Sequence, residues 1–256
     1  MQLYYSTLIR ERRYVDHLVW LVLAAPELAR AVRPGQFVLI RPSLGLDPLL
    51  WPSVFLAGAD PIAGVVELLV DPRDMAGKWL IDRPAGSSID LCLPSCTTFT
   101  PAPTTQTLLL AGTGAALPAL IFLARRLANR LSVTLVLAGD AGYLPPPFLL
   151  PAMVEVQTSP HGEATLFELI AAQPPPRHPL QWADQVVFAL PLPLIGQAVT
   201  AVRAARLRWE AGFAHVIVTG SMPCGLGICQ ACQIETRQGW QRRCIDGPLF
   251  DLRDLR

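Results

Sequence analysis

The chain has 256 residues, of which 52% are hydrophobic and 16% are charged. That length and composition predict a compact protein with one large or two ordinary domains plus a small module. A net charge of +1 argues against a basic surface of the kind that binds nucleic acid or anionic membranes. Residues 1–13 lack the apolar core of a signal peptide, so we expect a cytoplasmic protein.

The first hundred residues predict an antiparallel β-barrel. Short runs with β-branched and aromatic side chains are separated by proline and glycine at short intervals, as in barrels of this type. We therefore assign residues 1–100 to an antiparallel barrel domain. The predicted strands are Asp16–Leu23, Gln36–Arg41, Val65–Val70 and Ser88–Leu93.

Residues 101–219 predict an α/β domain, because strands and helices alternate along them. This alternation is typical of a parallel sheet with helices on both faces. The uncharged run 107–124 approaches the length of a membrane span, but Gly112, Gly114 and Pro118 divide it into a strand, a turn and a helix. The predicted strands are Leu108–Ala111, Val133–Ala138, Val186–Leu190 and His215–Thr219, and the predicted helices are Leu117–Asn129, Leu166–Ala172 and Leu194–Glu210.

The segment 220–256 contains four of the six cysteines, in the spacing C-x4-C-x2-C-x11-C. A plant-type [2Fe–2S] cluster uses this C-x4-C-x2-C run with one distant thiolate, so the predicted ligands are Cys224, Cys229, Cys232 and Cys244. Structural zinc sites usually have two C-x2-C knuckles, whereas this segment has one. A disulfide framework suits small secreted chains better than one of this length.

The order of barrel, α/β domain and cysteine segment resembles the electron-transfer subunit of class 1B dihydroorotate dehydrogenase, in the ferredoxin–NADP reductase superfamily. The resemblance covers essentially the whole chain and is strongest from residue 220 onward. It also rests on Pro34–Phe37, on Ala111–Gly114 and on Cys244–Phe250.

The resemblance implies a relay within pyrimidine biosynthesis. In this family the barrel binds FAD, the α/β domain admits NAD(H), and the cluster lies against a partner that carries FMN. A nicotinamide exchanges two electrons at once and a cluster exchanges one, so a flavin must stand between them. We expect an electron-transfer subunit rather than a self-sufficient enzyme, in a heterotetramer with an FMN-containing dehydrogenase, and we assign it no catalytic residue.

The chain departs from this family at the flavin site. The family has an Arg-Pro-x-Ser stretch whose arginine binds the FAD pyrophosphate, but Trp51 stands at that arginine position, and Ser53 matches the serine only after a shift of one residue. The family's Gly-x-Gly-Thr turn is reduced to Gly77, beside which Lys78 offers a positive charge. We therefore predict weak or substoichiometric FAD.

The predicted nucleotide turn is Gly112-Thr113-Gly114, which follows a strand as phosphate-binding turns do. A packing turn in an α/β fold explains it equally well. Two other functions stay open: a related subunit of a ferredoxin–NADP reductase or hydrogenase, and an adaptor that carries the cluster without FAD.

Overall fold

The structure is a computed structural model that describes residues 3–41, 50–173 and 178–255. It confirms the predicted fold class: a closed barrel of antiparallel strands is followed by a mostly parallel sheet and then by the cysteine segment. The domain boundaries after residues 100 and 219 stay a prediction.

The barrel has six strands in the order β1-β2-β5-β4-β3-β6. A short helix follows β2 and another follows β5. The strands are β1 (Leu3–Val15), β2 (Leu18–Ala24), β3 (Phe37–Arg41), β4 (Ser53–Asp60), β5 (Val65–Val70) and β6 (Ser88–Leu93). The helices are α1 (Pro26–Ala31) and α2 (Met75–Leu80).

Both faces of the barrel wall are buried on the side that meets the α/β domain. In β2 the side chains of Val19 and Leu21 point into the barrel core, while Leu18 and Trp20 join the apolar layer between the two domains. Alternate residues of a strand point to opposite faces, so a strand buried on both faces reads as a continuous apolar run. This interdomain layer is where a cofactor of either domain would be enclosed.

The α/β domain has a six-stranded sheet in the order β14-β11-β10-β7-β8-β9. Its strands pair in parallel except β14, which pairs antiparallel to β11. The strands are β7 (Thr107–Thr113), β8 (Ser132–Ala138), β9 (Glu155–Ser159), β10 (Gln185–Leu190), β11 (Ala214–Val218) and β14 (Leu249–Asp251). The strand β14 belongs to the cysteine segment, which also contains the hairpin of β12 (Gln233–Thr236) and β13 (Gly239–Arg242).

Helices cover both faces of this sheet, as predicted. The first helix packs in the layer that also contains the barrel wall and the cysteines, and the other helices pack on the opposite face. The helices are α3 (Leu117–Leu127), α4 (Leu166–Ala171), α5 (Pro179–Trp182) and α6 (Ile195–Ala205). The strand order reverses between β7 and β10, and open α/β sheets bind ligands at such a switch point.

One predicted helix ends earlier than expected for an identifiable reason. The helix predicted over Leu194–Glu210 ends at Ala205, because Arg206 leaves the helix and donates to the carbonyls of Leu180 and Ala183, at 2.7 and 2.6 Å. The apolar run 107–124 forms β7 and most of α3, as predicted. Every helix of the described residues is too short or too polar to cross a bilayer.

Candidate functional site

The four cysteines of the C-terminal segment lie in two contacting pairs. The Sγ atoms of Cys224 and Cys229 are 3.2 Å apart, and the thiol of Cys244 lies against that of Cys232. Cys232 and Cys244 are buried, whereas Cys229 is exposed. None of these four described cysteines forms a disulfide bond, in agreement with a segment that is not a disulfide framework. Two thiol pairs suit two iron atoms that each take two protein ligands.

The chain reverses tightly between the first two cysteines. Gly225 and Gly227 both adopt positive φ, at 58° and 74°, which is a conformation that costs little for glycine alone. A side chain at Gly227 would also collide with the end of Ile245. These glycines allow the loop to curl around the sulfur atoms.

Backbone N–H groups of this loop point at the sulfur atoms. The N–H of Leu226 lies 3.4 Å from Cys224 Sγ, and the N–H of Gly227 points at the sulfur of Cys244. Burial raises the pKa of Cys224, but N–H groups led by that of Cys229 outweigh it and lower the pKa to about 6. Burial, with the neighbouring Cys232, raises the pKa of Cys244 to about 12. Such N–H groups are the hydrogen-bond donors that stabilise ligating thiolates.

A buried arginine, which the sequence analysis did not single out, supports the two innermost thiols. Arg243 is 6% exposed, and its guanidinium donates to the carbonyls of Thr219, Cys232 and Ser221. Burial lowers the pKa of Arg243, while Cys232 and Cys244 act in the opposite direction. The guanidinium thus ties the end of β11 to the cysteine segment and places a positive charge beside two ligand candidates.

The cysteine segment is fixed against the barrel. Thr97, just after β6, accepts at its Oγ1 from the N–H of Leu249 at 3.1 Å, and its own N–H donates to the carbonyl of Gly247 at 2.7 Å. Cys232 packs in the same apolar layer as Phe37 and Phe55 of the barrel wall. The two buried cysteines, Cys232 and Cys244, therefore belong to the same apolar layer as the barrel wall.

A cavity of about 310 Å³ adjoins the cysteine segment. It lies between β4, the start of α2 and the residues that follow β11, and its lining includes Ser53, Gly77, Gly220 and Ser221. Two of the predicted flavin residues, Ser53 and Gly77, therefore meet in one cleft. The third, Lys78, is exposed and does not line this cleft.

The described residues that line this cleft include no lysine or arginine. Trp51, at the position of the family's arginine, is half-buried in the interdomain layer, and the guanidinium of Arg41 lies 5.8 Å from its ring centre. Asp74 lines the cleft at the start of α2, and its burial, together with nearby Asp71, raises its pKa. A side chain at Gly77 would collide with the Asp71 carbonyl, so close packing explains that glycine.

A second cavity, of about 240 Å³, opens at the switch point of the sheet. Gly114 lines it with φ of 68°, and a Cβ there would lie 2.8 Å from the carboxylate of Glu163. Gly112 is packed against Ala189 of β10, where a Cβ would lie 2.8 Å from the carbonyl oxygen. Thr113 is fully buried, and its hydroxyl has no hydrogen-bond partner among the described residues. The predicted turn thus lies at the expected edge of the sheet.

The cation of this second cavity is Arg73, which the sequence analysis also missed. Its guanidinium contacts Asp71 at 2.7 Å and Asp140 at 2.8 Å, and it stacks 3.5 Å from the ring centre of Tyr143. Because Asp71 follows the barrel strand β5 and Asp140 follows β8, this arginine bridges the two domains across the cleft. No sequence motif identifies Arg73, because its contact with Asp140 joins residues 67 positions apart.

No three of the described histidine, cysteine, aspartate or glutamate side chains converge closely enough to hold a single metal ion. The described cysteines nonetheless form the contacting pairs Cys224–Cys229 and Cys232–Cys244, and loop N–H groups point at the sulfur atoms of Cys224 and Cys244. Cys92 and Cys96 lie outside this group; Cys92 is buried in the barrel wall, and burial raises the pKa of Cys96 to about 11.

Comparisons with known proteins agree with this architecture. Residues 220–256 match the family model of the iron–sulfur cluster binding domain of dihydroorotate dehydrogenase B. The chain is 26% identical to the electron transfer subunit of dihydroorotate dehydrogenase B (NAD(+)) of Shouchella clausii, over 97% of this chain and 96% of that protein. It is 24% identical to the corresponding subunit of Bacillus cereus, over 100% and 99% of the two chains.

The fold has solved counterparts. The structure of an NADH-dependent reduced ferredoxin–NADP oxidoreductase superposes with a TM-score of 0.77 at 18% identity, covering 98% of this chain and 89% of that one. With a C-terminal segment that matches the iron–sulfur cluster binding domain model and a likeness that spans nearly the full length of both chains, the protein resembles the electron-transfer subunits of dihydroorotate dehydrogenase B and has the ferredoxin–NADP reductase fold.

Proposed function

We propose that this chain is the electron-transfer subunit of a dihydroorotate dehydrogenase complex, which relays electrons between an FMN-containing partner and NAD. The observation that carries the proposal is the position of the four cysteines, which lie in two contacting pairs. Cys232 and Cys244 belong to the apolar layer that includes the barrel wall, and the segment that precedes Cys224 lines the flavin-type cleft. The family-model match and the full-length relatives favour this partner over a hydrogenase subunit or a cluster-bearing adaptor.

The residues present fit a [2Fe–2S] cluster. We assign Cys224 and Cys229 to one iron and Cys232 and Cys244 to the other, because each pair is already in contact. The cluster supplies one-electron transfer when bound. The loop N–H groups and Arg243 neutralise part of the negative charge of the four thiolates, which stabilises the bound form.

A flavin fits the cleft that Ser53 and Gly77 line, and there it would exchange one electron with the cluster and two with a nicotinamide. Gly114, which lines the cavity at the switch point of the sheet, would receive the nicotinamide nucleotide, with Arg73 as an adjacent cation. Gly112 and Thr113 are buried just before it and would position this turn. The FAD pyrophosphate lacks the family's arginine fork, and the acidic Asp74 lines the cleft. We therefore retain weak FAD binding as part of the proposal.

A partner subunit would approach the cysteine loop. Leu226 and Ile228 are 48% and 74% exposed beside the exposed Cys229. Apolar side chains around a redox centre suit a protein interface, since a stable complex buries them. We infer a heterotetramer of two copies of each subunit. We place it in the cytoplasm, where thiolate ligands stay reduced.

The test is the chain co-expressed with an FMN-containing dihydroorotate dehydrogenase and purified without oxygen. We expect thiolate-to-iron absorption, about two irons per chain and NAD+ reduction that depends on dihydroorotate. The variant Cys229→Ala should lose the iron and the NAD+ reduction. Its matched control, Cys96→Ala, removes a thiol outside the four and should keep both. Iron retained in Cys229→Ala, or zinc in place of iron, would refute the ligand assignment.

A further inference from the structure

Two adjoining cavities lie on the sheet face opposite the cysteines and the barrel. They measure about 340 and 610 Å³ and share the lining residues Val199, Arg203, Arg237 and Leu255. The helix α6, the residues that follow it, the turn of the β12–β13 hairpin and the segment after β14 enclose them. Cavities of these sizes accommodate ligands as large as a nucleotide.

The lining carries a local excess of positive charge. Four arginines line the first cavity with a single carboxylate, that of Glu210, although the whole chain has 21 basic and 20 acidic residues. The ion pairs among the described residues do not include Arg203, Arg208 or Arg237. The side chains of Arg203, Arg208, Arg237 and Arg253 are exposed, and their combined positive charge would attract an anion to the cavity.

Packing and backbone hydrogen bonds hold the residues around the first cavity in place. Leu252 and Leu255 form a buried apolar floor that is continuous with the core of the sheet. The N–H of Arg237 donates to the Asp254 carbonyl at 2.7 Å, which holds the hairpin turn at the rim. Thr236 joins this frame through a β-bridge to Leu255.

An aromatic side chain lies at the same rim. Trp209 is partly buried, packs edge-on against Phe213 and contacts the guanidinium of Arg253, which donates to the Trp209 carbonyl at 3.3 Å. Planar bases stack on aromatic side chains and on guanidinium planes. The site therefore combines cations with a planar, apolar surface.

We propose that this cavity binds a nucleoside polyphosphate, with its phosphates on Arg203 and Arg237 and its base beside Trp209. A guanidinium matches phosphate oxygens through two parallel hydrogen bonds, which makes unpaired arginines a suitable pair for a phosphate chain. The apolar floor and the indole of Trp209 would contact a nucleobase, which an inorganic anion does not have. The site shares no lining residue with the two clefts between the barrel and the α/β domain.

The experiment is calorimetric titration of the purified complex with ATP, tripolyphosphate and adenosine. The test variant is Arg203→Gln with Arg237→Gln. The matched control is Arg10→Gln with Arg130→Gln, which removes the same charge from exposed positions elsewhere. Thermal melting by circular dichroism confirms that both variants fold, and the two single substitutions of the test pair provide a second comparison.

We expect ATP to bind once per chain at this site. Loss of both guanidinium groups should weaken it at least tenfold, by the usual strength of charge-assisted hydrogen bonds. The control should bind ATP as the parent does, tripolyphosphate should bind more weakly than ATP, and Trp209→Leu should remove that difference. Absence of ATP binding at millimolar concentration, or equal affinity in the test and control variants, would overturn the proposal, as would tripolyphosphate binding as tightly as ATP.

Discussion

Replacement of the buried Arg243 by glutamine should make the cluster harder to reduce. The arginine Nε lies 3.3 Å from the carbonyl oxygen of Cys232, which places its charge on the order of 7 Å from the Cys232 sulfur. Reduction adds one negative charge to the cluster, and a nearby positive charge favours that state. Its removal should therefore shift the reduction potential to a more negative value.

The size of the shift follows from Coulomb's law. Two unit charges about 7 Å apart interact by about 2.4 kcal/mol at an effective dielectric constant of about 20. For a one-electron couple, where each tenfold change in the equilibrium constant corresponds to about 59 mV, this energy is a shift of about 100 mV. We take this as the upper end of the expected range, because solvent that enters the vacated space screens part of the charge.

The measurement is a redox titration followed by the electron paramagnetic resonance signal of the reduced cluster. Arg243→Lys keeps the charge and should shift the potential by less than half as much as Arg243→Gln. The control is Arg130→Gln, which removes an exposed positive charge just after α3, away from the cysteine segment, and should matter little. If Arg243→Gln and Arg130→Gln have the same potential with an intact cluster signal, the electrostatic role assigned to Arg243 is wrong.

Three further outcomes test the rest of the structure. Trp51→Arg should raise FAD affinity at least tenfold in equilibrium dialysis, because it restores a charge-assisted contact. Lys78→Ala should leave FAD affinity unchanged, because Lys78 lies outside the cleft. A loss of FAD in Lys78→Ala would contradict this placement of Lys78. Gly112→Ala should lower the free energy of unfolding by about 1–3 kcal/mol in urea, because its Cβ would overlap Ala189, and an unchanged midpoint would refute that packing. The N–H groups of Gln106 and Thr107 lower the pKa of Asp184 below 3.8. The ionised Asp184 therefore stabilises the fold above the pKa that it has in the unfolded chain, and this stabilisation is lost as the pH falls through its pKa in the folded protein. Asp184→Asn should flatten the acid side of the stability profile, and an unaltered profile would show that other carboxylates control it.

The fold class was predictable because the strands with continuous apolar runs are those buried on both faces. The bounds of β5 and β6 match the prediction residue for residue. The strand β1 (Leu3–Val15) was missed because its sequence mixes charged and apolar residues without a long apolar run, and only its pairing with β2 and β6 fixes it as a strand. Pairing between distant segments is a property that local sequence does not encode.

The same limit applies to the site. The cysteines were predictable from spacing alone, since three of them fall within nine residues. Arg73 and Arg243 were not, because each acquires its position through partners far along the chain, such as Asp140 and Thr219. The chain has 21 basic residues, and the sequence around an arginine does not show whether its side chain is buried and hydrogen-bonded or exposed to solvent.

The strand β14 makes the cysteine segment part of the nucleotide-type domain. It covers the edge of β11, and β11 pairs with β10, which pairs in turn with β7 and its glycine turn. Removal of this segment would leave a hydrophobic edge strand open to pairing with other chains. Any protein that lacked the cysteine segment would therefore need another strand to cover β11, which makes the folding of the sheet depend on the segment that holds the cysteines.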